Sequence, residues 1–234
     1  MSKILSIVIP CYNKFNFTKS CLTDLSKLPN DHEIIIIDNG SSDETKLQLE
    51  SSKEITYHRN DINLGFARAS NIGYGLSTAN NVLFLNNDIR VKSGIYGDYT
   101  NWTKPLLDYC DKGLVGPTMG QLDNNFNFIR EANEKLNGNS YMSGWCVASS
   151  KDIWNKLNIP RDMTEKHIPQ IFSEDFFCYF EDSDLSMRAK KLGIAMEVVK
   201  LSVVHFGKIS SGQLNTHKLY VDGKKIFMKK WAIP

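Results

Sequence analysis

The chain has 234 residues, with 28 Lys and Arg against 26 Asp and Glu for a net charge of +2, and 41% of its residues are hydrophobic. This is the composition of a soluble chain built around one core, with too little length for two catalytic domains, and its charge is far from that of a duplex-binding protein. The longest aliphatic stretch, Ile34 to Ile37, excludes a bilayer span, the residues before Pro10 lack the apolar run of a secretory leader, and Cys11, Cys21, Cys110, Cys146 and Cys178 contain no Cys-x-x-Cys pair, so the expectation is a cytoplasmic protein with reduced thiols.

Leu5 to Ile9 predicts the first strand. Ser20 to Leu28 follows as a helix with Cys21, Leu25 and Leu28 on one face, and Ile34 to Ile37 as a strand of the kind covered on both sides. Ser41 and Ser42 before Asp43 and Glu44 predict a capped helix start reaching about Ser51. Ile55 to His58 reads as a strand, Ala67 to Ser77 as a helix rich in small residues, and Val82 to Leu85 as a strand ending in Asn86, Asn87 and Asp88. This alternation predicts an α/β fold, a mostly parallel central sheet flanked by helices.

After Ser93 the pattern loosens. Trp102, Leu106 and Tyr109 stand at helical spacing, Leu114 to Gly116 reads as a strand, and Gln121 to Glu131 as a hairpin around Asn124, Asn125 and Asn127. Trp145 to Ala148 is a strand, Lys151 to Leu157 a helix and Pro160 to Pro169 a loop. An amphipathic helix then opens at Glu181, Asp182, Ser183 and Asp184 and stops at Gly193. Ile194 to Val199 and Ser202 to Val204 are expected to complete the sheet. From Leu214 onward five lysines against Asp222 give a net +4 and leave −2 for the rest. This basic tail reads either as a helix docking Leu219, Ile226, Phe227 and Trp231 on the core or as a contact with a phosphate-bearing or membrane surface.

In an open parallel sheet the loops at the strand carboxyl ends form the ligand crevice. Pro10 to Asn13, Asp38 and Asn86 to Asp88 all fall there. Asp38 alone fits a loop acid or helix cap, and Asp88 fits either a turn or a ligand for a hard divalent cation. Glu181, Asp182 and Asp184 suit the positive end of a helix, yet three acids in four residues behind Phe176, Phe177, Tyr179 and Phe180 also suit a semi-buried general base. His205 fits a loop histidine or a mixed oxygen and nitrogen metal site.

The strings IVIPCYN, IIIIDNGSSDET, NLGFARASNIG, FLNNDI, YFEDSDLSMRAKKLG and VVHFGKISSG, in that order from about Ile4 to Gly212, resemble the inverting nucleotide-sugar glycosyltransferases of family 2, which have the GT-A fold. The likeness is greatest to the rhamnosyltransferase-like branch. The resemblance implies that Pro10, Tyr12 and Asn13 line a nucleotide pocket, that Asp38 meets base or ribose, and that Asn63, Gly65 and Arg68 pack nearby. Asn86, Asn87 and Asp88 take the place of the family's Asp-x-Asp motif, with Asn86 replacing the first aspartate, so Asn86 and Asn87 are implied in nucleotide binding and Asp88 and His205 as the ligands of Mn2+ or Mg2+. Asp182 is the implied catalytic base, with Glu181, Gly144 and Trp145 near donor sugar and acceptor, and Lys208, Ser210 and Ser211 near the phosphates.

The reading that follows is a metal-dependent inverting transferase acting on a UDP-, dTDP- or GDP-sugar, with a glycan, lipid-linked or protein acceptor and no nucleic acid partner. Residues 1–212 are expected to form the catalytic domain, with the nucleotide half up to about residue 90 and the acceptor half from 91, and 213–234 a basic, helical tail. No transmembrane segment is expected, and peripheral membrane contact falls to that tail. A binding module of the same fold that has lost activity is the rival, suggested by Asn86, and a nucleotidyltransferase is a weaker one because no Gly-rich triphosphate loop follows the first strand.

Overall fold

The computed structural model describes residues 3–92, 99–160, 168–207 and 215–231. Its first half is β1 (Leu5–Cys11), α1 (Phe15–Leu25), β2 (His32–Asp38), α2 (Thr45–Leu49), β3 (Thr56–Arg59), α3 (Phe66–Leu76), β4 (Asn81–Leu85) and β5 (Ile89–Val91). The second half is α4 (Lys104–Leu107), β6 (Gly113–Gly116), β7 (Met119–Leu122), β8 (Phe128–Ala132), β9 (Ser140–Met142), β10 (Cys146–Ser150), α5 (Lys151–Lys156), α6 (Glu181–Lys191), β11 (Ala195–Val198), β12 (Val203–His205) and α7 (Thr216–Lys230).

Seven strands form the main sheet in the order β11-β6-β10-β4-β1-β2-β3. All run parallel except β10, which is antiparallel to β4 and β6. The alternation of a strand's side chains divides them between two cores. Val8, Ile35, Ile37, Val82, Phe84 and Val147 face α3, α5 and α6, while Ile7, Ile9, Ile36, Leu83, Leu85 and Cys146 face α1 and α4. A sheet covered on both faces requires the aliphatic runs of the sequence, and each fully buried Ile contributes about 2–3 kcal/mol.

Three elements differ from expectation. Val203–His205 does not join the main sheet: β12 pairs antiparallel with β5 in a separate two-stranded ribbon that sets His205 opposite Ile89. Helix α1 begins at Phe15 rather than Ser20, because the Phe15 N–H is capped from outside its own segment by Asp43 Oδ2 at 3.0 Å. The serines expected to cap α2 serve elsewhere: Ser41 Oγ accepts from Asn13 N, and Asp43 Oδ1 accepts from Thr45 N. The expected hairpin exists as β7 and β8, and β9 completes its three-stranded sheet.

The register aligns Cys11, Asp38 and Arg59 at one end of the sheet. Cys146, the first residue of antiparallel β10, pairs with Leu85 at that same end. The loops after β1, β2, β3 and β4 and the entry to β10 therefore open on one side. The chain order reverses between β1 and its two neighbours, β2 and β4, which is where an open α/β sheet leaves its crevice.

Candidate active site

The loops after β1, β2 and β3 are held by a polar lattice. Asp38 is fully buried, and its carboxylate accepts from Ser41 N at 2.8 Å, from the Tyr57 hydroxyl at 2.6 Å and from the Arg59 guanidinium. Arg59 also donates to the Ser41 carbonyl. Both Asp38 oxygens are thus engaged by the protein itself, and the half-buried Arg59 and Tyr57 are the groups at this corner nearest to solvent. Asn13, in the left-handed region at φ 55°, accepts from Ser42 N at 2.7 Å and clamps the β1 loop to the β2 loop. Pro10 and Tyr12 flank it, both half-buried.

Asn63 acts through a residue that sequence reasoning missed. Its side-chain oxygen accepts from Asn39 Nδ2 at 2.8 Å and from Gly65 N at 3.0 Å, while Asn39 Oδ1 accepts from Asn60 Nδ2 and Leu64 N. The position of Asn39, directly after Asp38 at a strand end, was the available signal. Gly65 has φ +83°, and a side chain there would collide with the Phe177 carbonyl, which already accepts from Phe66 N at 2.8 Å. Arg68, partly exposed, lies 3.8 Å from Glu174 Oε2. Asn63, Gly65 and Arg68 therefore join the loops after β2 and β3 to the segment that leads into α6.

Beyond β4 the three consecutive polar residues separate. Asn87 donates to Thr18 Oγ1 at 2.8 Å, toward α1. Asn86 and Asp88 instead meet His205, whose Nε2 lies 3.1 Å from Asn86 Nδ2 and 3.1 Å from Asp88 Oδ1. Asp88 is buried, and its Oδ1 receives no well-aligned hydrogen bond from the described residues. A buried carboxylate oxygen whose one neighbour is an imidazole nitrogen is stabilised either by a proton on that nitrogen or by a cation held beside it. No cluster of three or more His, Cys, Asp or Glu groups forms among the described residues. The donor set fits a hard divalent ion only when phosphate oxygens or water supply the remaining ligands.

Gly144 and Trp145 join this corner to the second acidic cluster. The Trp145 ring stacks on His205 at 4.6 Å and 12°, and the Trp145 carbonyl accepts from Asn86 N at 2.8 Å. One residue earlier, Gly144 N donates to Asp182 Oδ2 at 3.2 Å, and a Cβ at 144 would lie 3.1 Å from that of Asp182. Asp182 Oδ1 accepts from Ser183 N at 2.7 Å. Burial, reinforced by the charge of Glu131, raises the Asp182 carboxyl to about 6 against the pull of those amides. Glu181 is buried with its Oε2 orphaned, and burial followed by the Asp182 charge raises it to about 8. The two acids titrate as a pair in which ionisation of one opposes that of the other.

Glu131 and Asp184 have places that periodicity could not show. Glu131, exposed on β8, accepts from Trp145 Nε1 at 2.8 Å and from Thr118 Oγ1 at 2.7 Å. Asp184 turns away from the crevice into a buried ion pair with Arg188 at 3.0 Å. Lys208, Ser210 and Ser211 lie outside the described residues.

Residues 6–97 match the family model described as glycosyl transferase family 2. An uncharacterized glycosyltransferase of Haemophilus influenzae is 31% identical over 86 residues, 36% of this chain and 29% of that protein. A putative polypeptide N-acetylgalactosaminyltransferase 13 of Drosophila melanogaster is 27% identical over 154 residues, 57% of this chain and 26% of that protein. Among solved structures, residues 1–349 of S. aureus TarS superpose with a TM-score of 0.58 at 15% identity, covering 94% of this chain and 65% of that one. A mannosyltransferase of Pyrobaculum calidifontis, solved with GDP-Man and Mn2+, superposes with a TM-score of 0.57 at 13% identity, covering 85% and 55%. The chain spans less than two thirds of each of these proteins, and the fold it shares with the two solved structures is GT-A.

Proposed function

We propose that this chain transfers a sugar from a nucleotide-diphosphate donor to an acceptor hydroxyl in a single displacement that inverts the anomeric centre. The observation that carries the reading is the pair Gly144 and Trp145, which holds the Asp182 carboxylate through one residue and the His205 and Asp88 corner through the next. A base for the acceptor and a cationic corner for the leaving group are thereby tied to one rigid strand entry.

Asp182 accepts the proton of the acceptor hydroxyl as its oxygen bonds to the anomeric carbon, and the bond from that carbon to the diphosphate oxygen breaks on the opposite face. A carboxyl raised to about 6 is ionised at neutral pH yet basic enough to take a proton in the transition state. Asp88 and His205 would hold Mn2+ or Mg2+ with Asn86 alongside, and that ion supplies charge neutralisation to the departing diphosphate. Pro10, Tyr12, Asn13, Arg59 and Arg68 form the nucleotide wall, ordered by Asp38, Asn39, Asn63 and Gly65. Glu181, Trp145 and Glu131 border the sugar and acceptor side, and Lys208, Ser210 and Ser211 are assigned to the phosphates.

The donor is a UDP-, dTDP- or GDP-sugar, and the acceptor a glycan, a lipid-linked chain or a protein. Kinship to the rhamnosyltransferase-like branch, a cytoplasmic site of action, a catalytic unit over 1–212 and peripheral membrane contact through the lysines of 213–234 belong to the same proposal. No helix among the described residues is long and apolar enough to cross a membrane. The test is nucleotide release from a panel of UDP-, dTDP- and GDP-sugars with Mn2+, with and without chelator. Release from one donor, lost on chelation, is expected. A donor that binds but is never cleaved would instead make the chain a binding module.

A further inference from the structure

Just before the proposed base the backbone is strained. Tyr179 and Phe180 both lie in the left-handed region, at φ 69° and 68°. Each such aromatic residue costs about 1–2 kcal/mol, and the conformation persists only where surrounding structure imposes it. Glu181 and Asp182 follow at once, so whatever imposes that turn also aims the carboxylate.

The imposing element is α7. Its Gly223, in mid-helix where glycine costs about 1 kcal/mol relative to alanine, sits so close to the turn that a Cβ would lie 2.9 Å from the Tyr179 carbonyl oxygen and 3.3 Å from Phe180 Cδ2. Tyr220 and Phe227, three residues before and four after, share that helix face. Their rings meet Phe180 at 5.2 and 5.4 Å, and Tyr220 meets Tyr179 at 6.1 Å. The end of α7 is locked to α6 itself: Trp231 Nε1 donates to the buried Asp184 at 3.1 Å, and Lys230 Nζ lies 3.2 Å from the same oxygen. The same helix also holds the acceptor-side hairpin, where the Tyr220 hydroxyl accepts from Phe128 N at 2.9 Å and Lys224 donates to Asn127 Oδ1 at 2.6 Å.

We propose that Gly223, with the Trp231 to Asp184 bond, is a positioning device: α7 holds the Tyr179–Phe180 turn in its left-handed form and thereby sets Asp182 against Gly144 and the hairpin that carries Glu131. The proposal rests on Asp182 being the base. If α7 merely covered an apolar face, alanine at 223 would displace the helix from the turn and leave turnover alone.

The experiment compares wild type with Gly223→Ala and Trp231→Phe, the second removing the bond to Asp184 while keeping an aromatic ring against Phe227. The readouts are steady-state kinetics with the donor found to turn over, and amide hydrogen exchange across the chain. Misplacing a reacting group by about 1 Å costs on the order of 100-fold, so Gly223→Ala is expected to lower kcat 10- to 100-fold, leave donor KM within about threefold and shift the acidic limb of the pH profile. Exchange is expected to quicken at residues 180–185 and to stay as in wild type in β1, β2 and β4. Trp231→Phe moves the same readouts less. Unchanged kcat in both variants overturns the proposal, as does faster exchange spread evenly over the chain. If wild type turns over no donor, the base assignment fails separately, and exchange at 180–185 alone then decides whether α7 imposes the turn.

Discussion

Replacing Asp182 by Asn should remove activity and raise stability together. Holding the carboxyl at about 6 instead of an ordinary 3.8 means that the folded protein binds this proton more tightly than the unfolded chain does. Between pH 4 and 6 the unfolded chain is ionised while the folded one is still protonated, so stability falls as pH rises through that window, and above it the cost of the buried charge is complete. At about 1.4 kcal/mol per pH unit the ceiling is about 3 kcal/mol. Solvent reaches the half-buried group, and the Gly144 and Ser183 amides bond the charge better than they bond an amide oxygen, so about 1–2 kcal/mol is the expected net gain in Asp182→Asn. For a chain of this length that is a rise in Tm of about 3–6 °C at pH 8, shrinking toward zero near pH 4. Loss of a general base lowers kcat/KM by about 10²- to 10⁴-fold, and in wild type kcat/KM should fall tenfold per pH unit below about 6. Calorimetric melts at pH 4 and 8 alongside pH-rate profiles measure all of this. A variant that keeps near-wild-type turnover, or melts no higher than wild type at pH 8, would refute the placement of a partly desolvated base at 182.

Two further substitutions probe the loops at the carboxyl ends of β2 and β3. Gly65→Ala must move the loop off the Phe177 carbonyl and abandon φ +83°, so a loss of about 2–3 kcal/mol in urea denaturation is expected, with weaker nucleotide binding; an unchanged midpoint would show that the contact gives way freely. Asp38→Ala strips a shared acceptor from Tyr57, Arg59 and Ser41 N, and about 2–4 kcal/mol should go with it. If the Asp38→Ala protein keeps full stability and loses only nucleotide affinity, Asp38 meets the ligand directly and its hydrogen bonds here are incidental.

The class of fold was legible because it follows from local pattern. Ile34 to Ile37, flanked by other short apolar runs and amphipathic segments, can only be satisfied by a sheet covered on both faces, and a parallel sheet exposes its strand ends on one side. The polar residues at those ends, Asn13, Asp38, Asn86 and Asp88, were therefore visible as a crevice before any contact was known. What remained hidden depends on partners far apart in the chain. Asp43 caps α1 from the β2 loop, β12 leaves the main sheet for β5, Asn39 binds the loop that carries Asn63, and Glu131 reaches Trp145 from a hairpin whose sequence shows no chemistry. The tail shows the difference most directly. Its lysines and aromatic residues announce an amphipathic helix, but charge and periodicity are properties of one segment. That Gly223 meets the Tyr179 carbonyl and Trp231 meets Asp184 depends on where two helices and a strained turn come to rest, and only the tertiary structure decides that.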